Sequence, residues 1–166
     1  MNAELVLLRI LHILPAVIWV GGASLMAWVI EPQLRAAGPA VQGPAMRSIA
    51  KTLTPVLLGA AAVTIFVGFV LLGRTPGRGF GDLFTTPWGW GIGLGMVLAI
   101  AAGGISSMAG STLKQMDAIG SQISGGPTPA QAAGMAALQS VLRRNSRIAS
   151  ILGLVSVALM VSARYV

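Results

Sequence analysis

This sequence predicts an all-α integral membrane protein, a bundle of four transmembrane helices. Three observations carry the prediction. Hydrophobic residues make up 55% of the 166-residue chain and charged residues only 9%, whereas an average soluble domain is about 25% charged. So much apolar surface has no place in a soluble interior of this size, so lipid must solvate most of the chain. Four apolar stretches approach the roughly 20 helical residues that cross a bilayer. They run over 5–30, 52–72, 88–113 and 148–163, forming one transmembrane domain over 1–166.

The first span exceeds the apolar core of a signal peptide and has no basic leader, so it reads as a retained helix. Glu31-Pro32 is expected to stop it, because proline disfavours helical geometry in the residue before it. Pro55 is expected to kink the second span near its start. Thr86-Pro87 reads as an N-cap followed by proline at the first helical position. Trp88 and Trp90 then sit where interfacial tryptophans belong. Thr128, Pro129 and Gln131 form a capping-box pattern. A helix is expected to start there, outside the membrane, and to run on into the fourth span. Residues 120–127 form the expected flexible linker.

The formal charge of +7 would suggest nucleic acid in a soluble protein. Here the basic residues flank apolar segments, so they point to lipid headgroups and topology, and no nucleic-acid partner is expected. Arg35, Arg47 and Lys51 lie between spans one and two. Lys114, Arg143, Arg144 and Arg147 lie between spans three and four. The opposite side holds Arg74, Arg78 and Arg164, with Arg9 inside span one. The positive-inside rule puts both long connections in the cytoplasm and both termini outside, in the cell membrane.

An internal repeat accompanies this arrangement. Gly21-Gly22-Ala23-Ser24-Leu25-Met26-Ala27 in span one matches Gly103-Gly104-Ile105-Ser106-Ser107-Met108-Ala109 in span three. Arg47 and Lys51 before span two echo Arg143 and Arg147 before span four. Two parallel two-helix repeats imply a pseudo-two-fold axis along the membrane normal. Short matches in Gly/Ala-rich helices also arise by chance, so both readings stand.

His12 is the sole histidine, and it lies inside a span. Arg9 sits three residues earlier on the same helical face, and Ala16, Trp19, Ala23 and Met26 continue that stripe. Ionisable groups within a bilayer are expensive, so they normally face the bundle interior and serve a function. A neutral His12 hydrogen-bonded to a neighbouring helix is one reading. An axial ligand to haem iron is another, since that role needs a neutral imidazole in a dry pocket. A proton relay or a copper ligand is a third. Arg9 either snorkels to the interface or meets haem propionates one turn above the iron ligand.

Gly89, Gly91, Gly93 and Gly95 lie at about the depth of His12. They would leave room for a flat macrocycle, with Gly91 and Gly95 beside it, or serve close helix packing. With no second histidine, Met96 and Met160 in the outer half are the candidate partner ligands, while Met26 and Met108 lie deeper. Methionines also pack as adaptable hydrophobes. The chain has no cysteine, which excludes disulfides, iron–sulfur clusters and thiolate sites. It has no Walker loop, dinucleotide fingerprint or hydrolase triad. Glu4, Glu31, Asp82 and Asp117 all fall at or outside span ends, unlike the intramembrane carboxylate of a proton pump.

Arg9-Ile10-Leu11-His12, followed by Ile18-Trp19-Val20-Gly21-Gly22, resembles the first helix of the CopD-like superfamily. That group includes the membrane domain of copper-resistance protein D. The oxygen-independent protoporphyrinogen oxidase type is a more distant look-alike. The likeness spans about fifteen residues; elsewhere it is limited to four spans and the Glu31-Pro32-Gln33-Leu34-Arg35 exit. It implies haem b, or copper handling in some relatives, with His12 as ligand and Arg9 and Trp19 beside it. After the first helix the chain lacks an oxidase-like polar set. It also lacks the extra histidines and dense methionines of a copper transporter.

The leading expectation is a small b-type haem membrane protein, for electron transfer or as a subunit of a redox complex with a redox partner protein. A copper import or tolerance protein is the second. A non-catalytic subunit that packs against a larger complex, or against further copies of itself, is the third.

Overall fold

Each apolar stretch lies within a helix much longer than the stretch itself. A computed structural model, which describes residues 3–166, places α1 over Ala3–Ala36, α2 over Pro39–Arg74, α3 over Pro87–Ser121 and α4 over Pro129–Ser162. A short 3-10 turn, Ala163–Tyr165, continues α4. All four helices are long and apolar enough to cross a membrane, and no strand occurs among the described residues. The continuous helical segments hold 34 to 37 residues, hence about 50–55 Å at 1.5 Å per residue, beyond a hydrocarbon core of about 30 Å.

Local chemistry sets the helix starts as the sequence predicts. The Thr86 hydroxyl accepts from the Gly89 N–H at 3.0 Å and opens α3. Thr128 and Gln131 exchange hydrogen bonds of 3.2 and 2.9 Å in a capping box that opens α4. Gly38, with φ of +92°, separates α1 from α2 in a backbone region that only glycine adopts freely.

Two expected boundaries move. The first helix does not stop at Glu31-Pro32 but runs on to Ala36. Immediately before the proline, Met26–Ile30 widens into a π turn, and the Glu31 N–H reaches the Met26 carbonyl five residues back. In an α-helix the proline ring crowds the carbonyl four residues back, and the wider turn relieves that crowding. A second π turn spans Val17–Gly21, just after Pro15. The linker also shortens, because α3 continues through Ser121. Helix α2 passes through Pro44 and Pro55 as one element.

The helices meet at mid-height. Trp19 and Val20 of α1 pack with Ala61 of α2 and Ala99 and Ala102 of α3, and Leu152 of α4 closes the cluster. Helices α3 and α4 form the most extensive pair. Residues 3–16 of α1 lie against α2, whereas from Val17 onward α1 also reaches α4. Below the core, the Ser24 and Ser150 hydroxyls lie 2.9 Å apart, and Trp28 Nε1 donates to Ser150 at 3.0 Å. Phe66, Leu14, Val17 and Val161 are exposed on the outside of the bundle. An apolar surface of that extent is stable against lipid tails and not against water.

Candidate functional site

His12 is held by α2. Its Nδ1 lies 2.8 Å from the Thr64 carbonyl oxygen. A backbone carbonyl only accepts, so Nδ1 carries the proton of this bond, and Nε2 is the ring nitrogen left outside it. The ring fits against α2 because residue 68 is glycine: a Cβ there would stand 2.9 Å from His12 Cε1. Thr64 is itself buried, and its hydroxyl oxygen has no hydrogen-bond partner. Arg9, one turn toward the chain start, is exposed. Nearby, Arg74 pairs with Glu4 at 2.8 Å and ties the start of α1 to the end of α2.

The other sequence candidates fall elsewhere. Trp19 is buried two turns along α1 and touches the α3 face at Gly103. The space beside the α3 glycines is occupied by protein. A Cβ at Gly91 would meet Ala163, and one at Gly95 would meet Met160. One at Gly93 would meet the Phe84 ring, and one at Gly89 would meet the Asp82 carbonyl. These glycines serve close packing of α3 against α4 and against the loop before it. The Ser156 hydroxyl reinforces that pair with a 2.6 Å bond to the Gly95 carbonyl. Met160 is therefore part of the α3–α4 seam, and Met96 is half-buried on α3.

A feature the sequence reading missed lies at the opposite end of the bundle. All four helices line a partly open pocket of about 430 Å³ that extends from Trp19 down to Gln42 and Met135. Part of its wall follows the internal repeat, although Asn145 stands opposite Ile49 and Gln139 opposite Gly43. Arg47, Ala50 and Leu53 of α2 line it, as do their counterparts Arg143, Ser146 and Ala149 of α4. Ala27 of α1 and its counterpart Ala109 of α3 line it too.

Glu31 also departs from the repeat, since its counterpart is Leu113, and Asp117 adds a second carboxylate to the lining. Glu31 is 8% exposed and lies in the pocket wall. Its Oε1 is 3.5 Å from an Arg143 nitrogen, while its Oε2 is buried with no partner. One turn nearer the core, the Arg147 guanidinium lies 5.3 Å from the centre of the Trp28 ring, with its Nε buried and without a partner among the described residues. The pairing of Glu31-Pro32 with the Arg47/Arg143 echo was the available signal. It went unread because proline made the carboxylate look like a helix end.

Among the described residues, no three His, Cys, Asp or Glu side chains converge as a metal site would require. Compared with known proteins, the chain matches no family model, no curated protein and no solved structure.

Proposed function

We propose that this chain is a small b-type haem-binding membrane protein that serves electron transfer within a redox complex, with His12 as an axial ligand. The observation that carries the reading is the Nδ1–H bond to the Thr64 carbonyl. Histidine ligands commonly donate one ring N–H to a carbonyl or carboxylate, which fixes the ring and frees the other nitrogen for the metal. The likeness of the Arg9–Gly22 segment to the CopD-like superfamily supports it as well. The fit is to the ligand position. The α3 glycines supply no room, so the macrocycle would stand against the outer half of α1 and α2. Arg9, exposed one turn from His12, would be the residue to pair with a propionate. Bound iron would pass one electron at a time to a partner. The chain's own part would be to orient the imidazole through the Thr64 carbonyl.

Haem is favoured over a bare copper ion on the same ground. A free ion needs several converging protein donors, whereas a porphyrin brings its own ring nitrogens. The proposed setting is the cell membrane, with both termini outside the cytoplasm, from the distribution of basic residues.

The test is His12→Leu in protein produced with haem available. Wild type is expected to be red with a Soret band, and the variant colourless yet folded, because backbone bonds within the helix stay satisfied. A structural histidine would give the reverse: loss of one interhelical bond, about 0.6 kcal/mol, with the spectrum unchanged. A wild-type Soret band at full occupancy in the variant refutes the assignment.

A further inference from the structure

The pocket at the Glu31 end has the depth and the polarity profile of one lipid leaflet. Along α1 it runs from Trp19 to Glu31, about 18 Å at 1.5 Å per residue. Half of a roughly 30 Å hydrocarbon core is about 15 Å. Trp19, Leu57 and Ile105 line the inner end. The polar side chains met next, Thr54, Ser106, Asn145 and Ser146, are all uncharged. The charged lining consists of Glu31, Arg47, Asp117 and Arg143. On their own helices these stand nine to fifteen residues from the core positions Trp19, Ala61, Ala102 and Leu152, about 14–22 Å away. The charges therefore begin where a leaflet's hydrocarbon ends.

Charge decides which head suits that rim. This end of the bundle carries seven of the chain's eleven basic residues and two of its four carboxylates. Glu31 is engaged by Arg143, and its other oxygen is buried beyond reach of any ligand. Asp117 is exposed, one helical turn from Lys114. Arg47 is exposed too and makes no ion pair among the described residues. Gln42 and Gln139 add amide donors to the same lining. A cationic head gains from Asp117 alone and faces the surrounding excess of positive charge. An anionic head meets Arg47 and that excess, and basic pockets between transmembrane helices are known seats of anionic lipid heads. We propose that the pocket seats one acyl chain of an anionic phospholipid from the leaflet at this end, the tail reaching toward Trp19 and the phosphate lying against Arg47. The entry is the edge between α2 and α3, which share the least contact of the neighbouring helix pairs. The site is separate from His12 and does not rest on haem.

The experiment uses the full chain, delipidated in detergent micelles and titrated with dioleoylphosphatidylglycerol or dioleoylphosphatidylcholine. Native mass spectrometry counts the lipids held per chain. One saturable phosphatidylglycerol per chain is expected, held at least about fivefold more tightly than phosphatidylcholine. Arg47→Gln should weaken phosphatidylglycerol binding about fivefold, the worth of one basic residue at a membrane surface. Arg144 is exposed on α4 and outside the pocket lining, so Arg144→Gln should leave that binding nearly unchanged. Ala109→Phe fills the pocket from the α3 wall, removes no charge and should abolish the saturable site. Free glycerol phosphate at the same concentration should not displace the lipid, because the head alone forgoes the apolar wall. Far-UV circular dichroism reports whether each variant folds. If Ala109→Phe does not fold, the two lipids and the two arginine variants decide. Equal affinity for the two lipids overturns the proposal, as does tighter binding of the cationic dioleoyltrimethylammonium propane. Equal effects of Arg47→Gln and Arg144→Gln overturn it by showing only diffuse attraction to a basic surface. A saturable site that survives in folded Ala109→Phe, or displacement by glycerol phosphate, overturns it too.

Discussion

Replacing Gly68 by alanine puts a methyl group where the His12 ring lies. A Cβ at that position would stand 2.9 Å from Cε1 and 3.2 Å from Nδ1. The ring must shift, and the 2.8 Å bond from Nδ1 to the Thr64 carbonyl must stretch or break. Overpacking of this kind costs about 1–3 kcal/mol, and an interhelical hydrogen bond in a membrane averages about 0.6 kcal/mol. Alanine recovers about 1 kcal/mol over glycine in a helix. The net is a loss of about 0.5–2.5 kcal/mol. Gly59 on the same helix is the control, since a Cβ there meets nothing within 4 Å. Gly59→Ala should therefore gain the propensity term, about 1 kcal/mol, and nothing else. Unfolding by dodecyl sulfate in mixed micelles, followed by far-UV circular dichroism, measures both variants. Haem content of the same samples reports the ligand geometry, which should suffer only in Gly68→Ala. If the two variants prove equally stable, the packing of His12 on α2 is wrong.

Three further outcomes follow from the same contacts. Gly95→Leu should separate α3 from α4 and cost about 1–3 kcal/mol, because its Cβ would stand 2.8 Å from Met160 Cγ; Gly104→Leu, with nothing within 4 Å, should unfold like wild type in the same titration. Arg9→Leu should weaken haem retention in part and leave folding intact, since a charge-assisted hydrogen bond is worth about 1.5–3 kcal/mol; unchanged pigment content would mean that Arg9 only snorkels. A reporter fused after Val166 should be active only when it requires export, and activity of a cytoplasm-only reporter there would invert the proposed orientation.

Where the chain turns into helix was legible because the signals are local. Thr86 and Thr128 cap their helices through residues three positions away, so spacing alone suffices. The overrun past Glu31 was not legible. Proline normally ends a helix, whereas here the backbone widens over Met26–Ile30 and the helix continues past it. The sequence offered a hydrogen bond to a neighbouring helix as one reading of His12, but its partner is the Thr64 carbonyl, a group every residue possesses and no pattern marks. The α3 glycines were ambiguous for a related reason. A missing side chain leaves space in sequence, but only the neighbouring helix decides whether Met160 or a ligand fills it. The cavity depended on the mutual register of four helices, which periodicity within one helix does not contain. The repeat came nearest to revealing it, because Arg47 and Arg143 proved to face the same space.

The π turn over Val17–Gly21 acts as a phase shifter in α1. A π turn holds one residue more than an α-helical turn, and one residue is worth about 100° of rotation. Above the turn, α1 presents His12 to α2; within it Val20 meets Gly153 of α4, and below it Ser24 meets Ser150. A uniform α-helix would bring one of those faces into line and swing the other toward lipid. Deleting a single residue within 17–21 would therefore leave the composition of the span almost untouched, yet it would turn the histidine away from Thr64. The extra residue is what lets one continuous helix keep two different appointments.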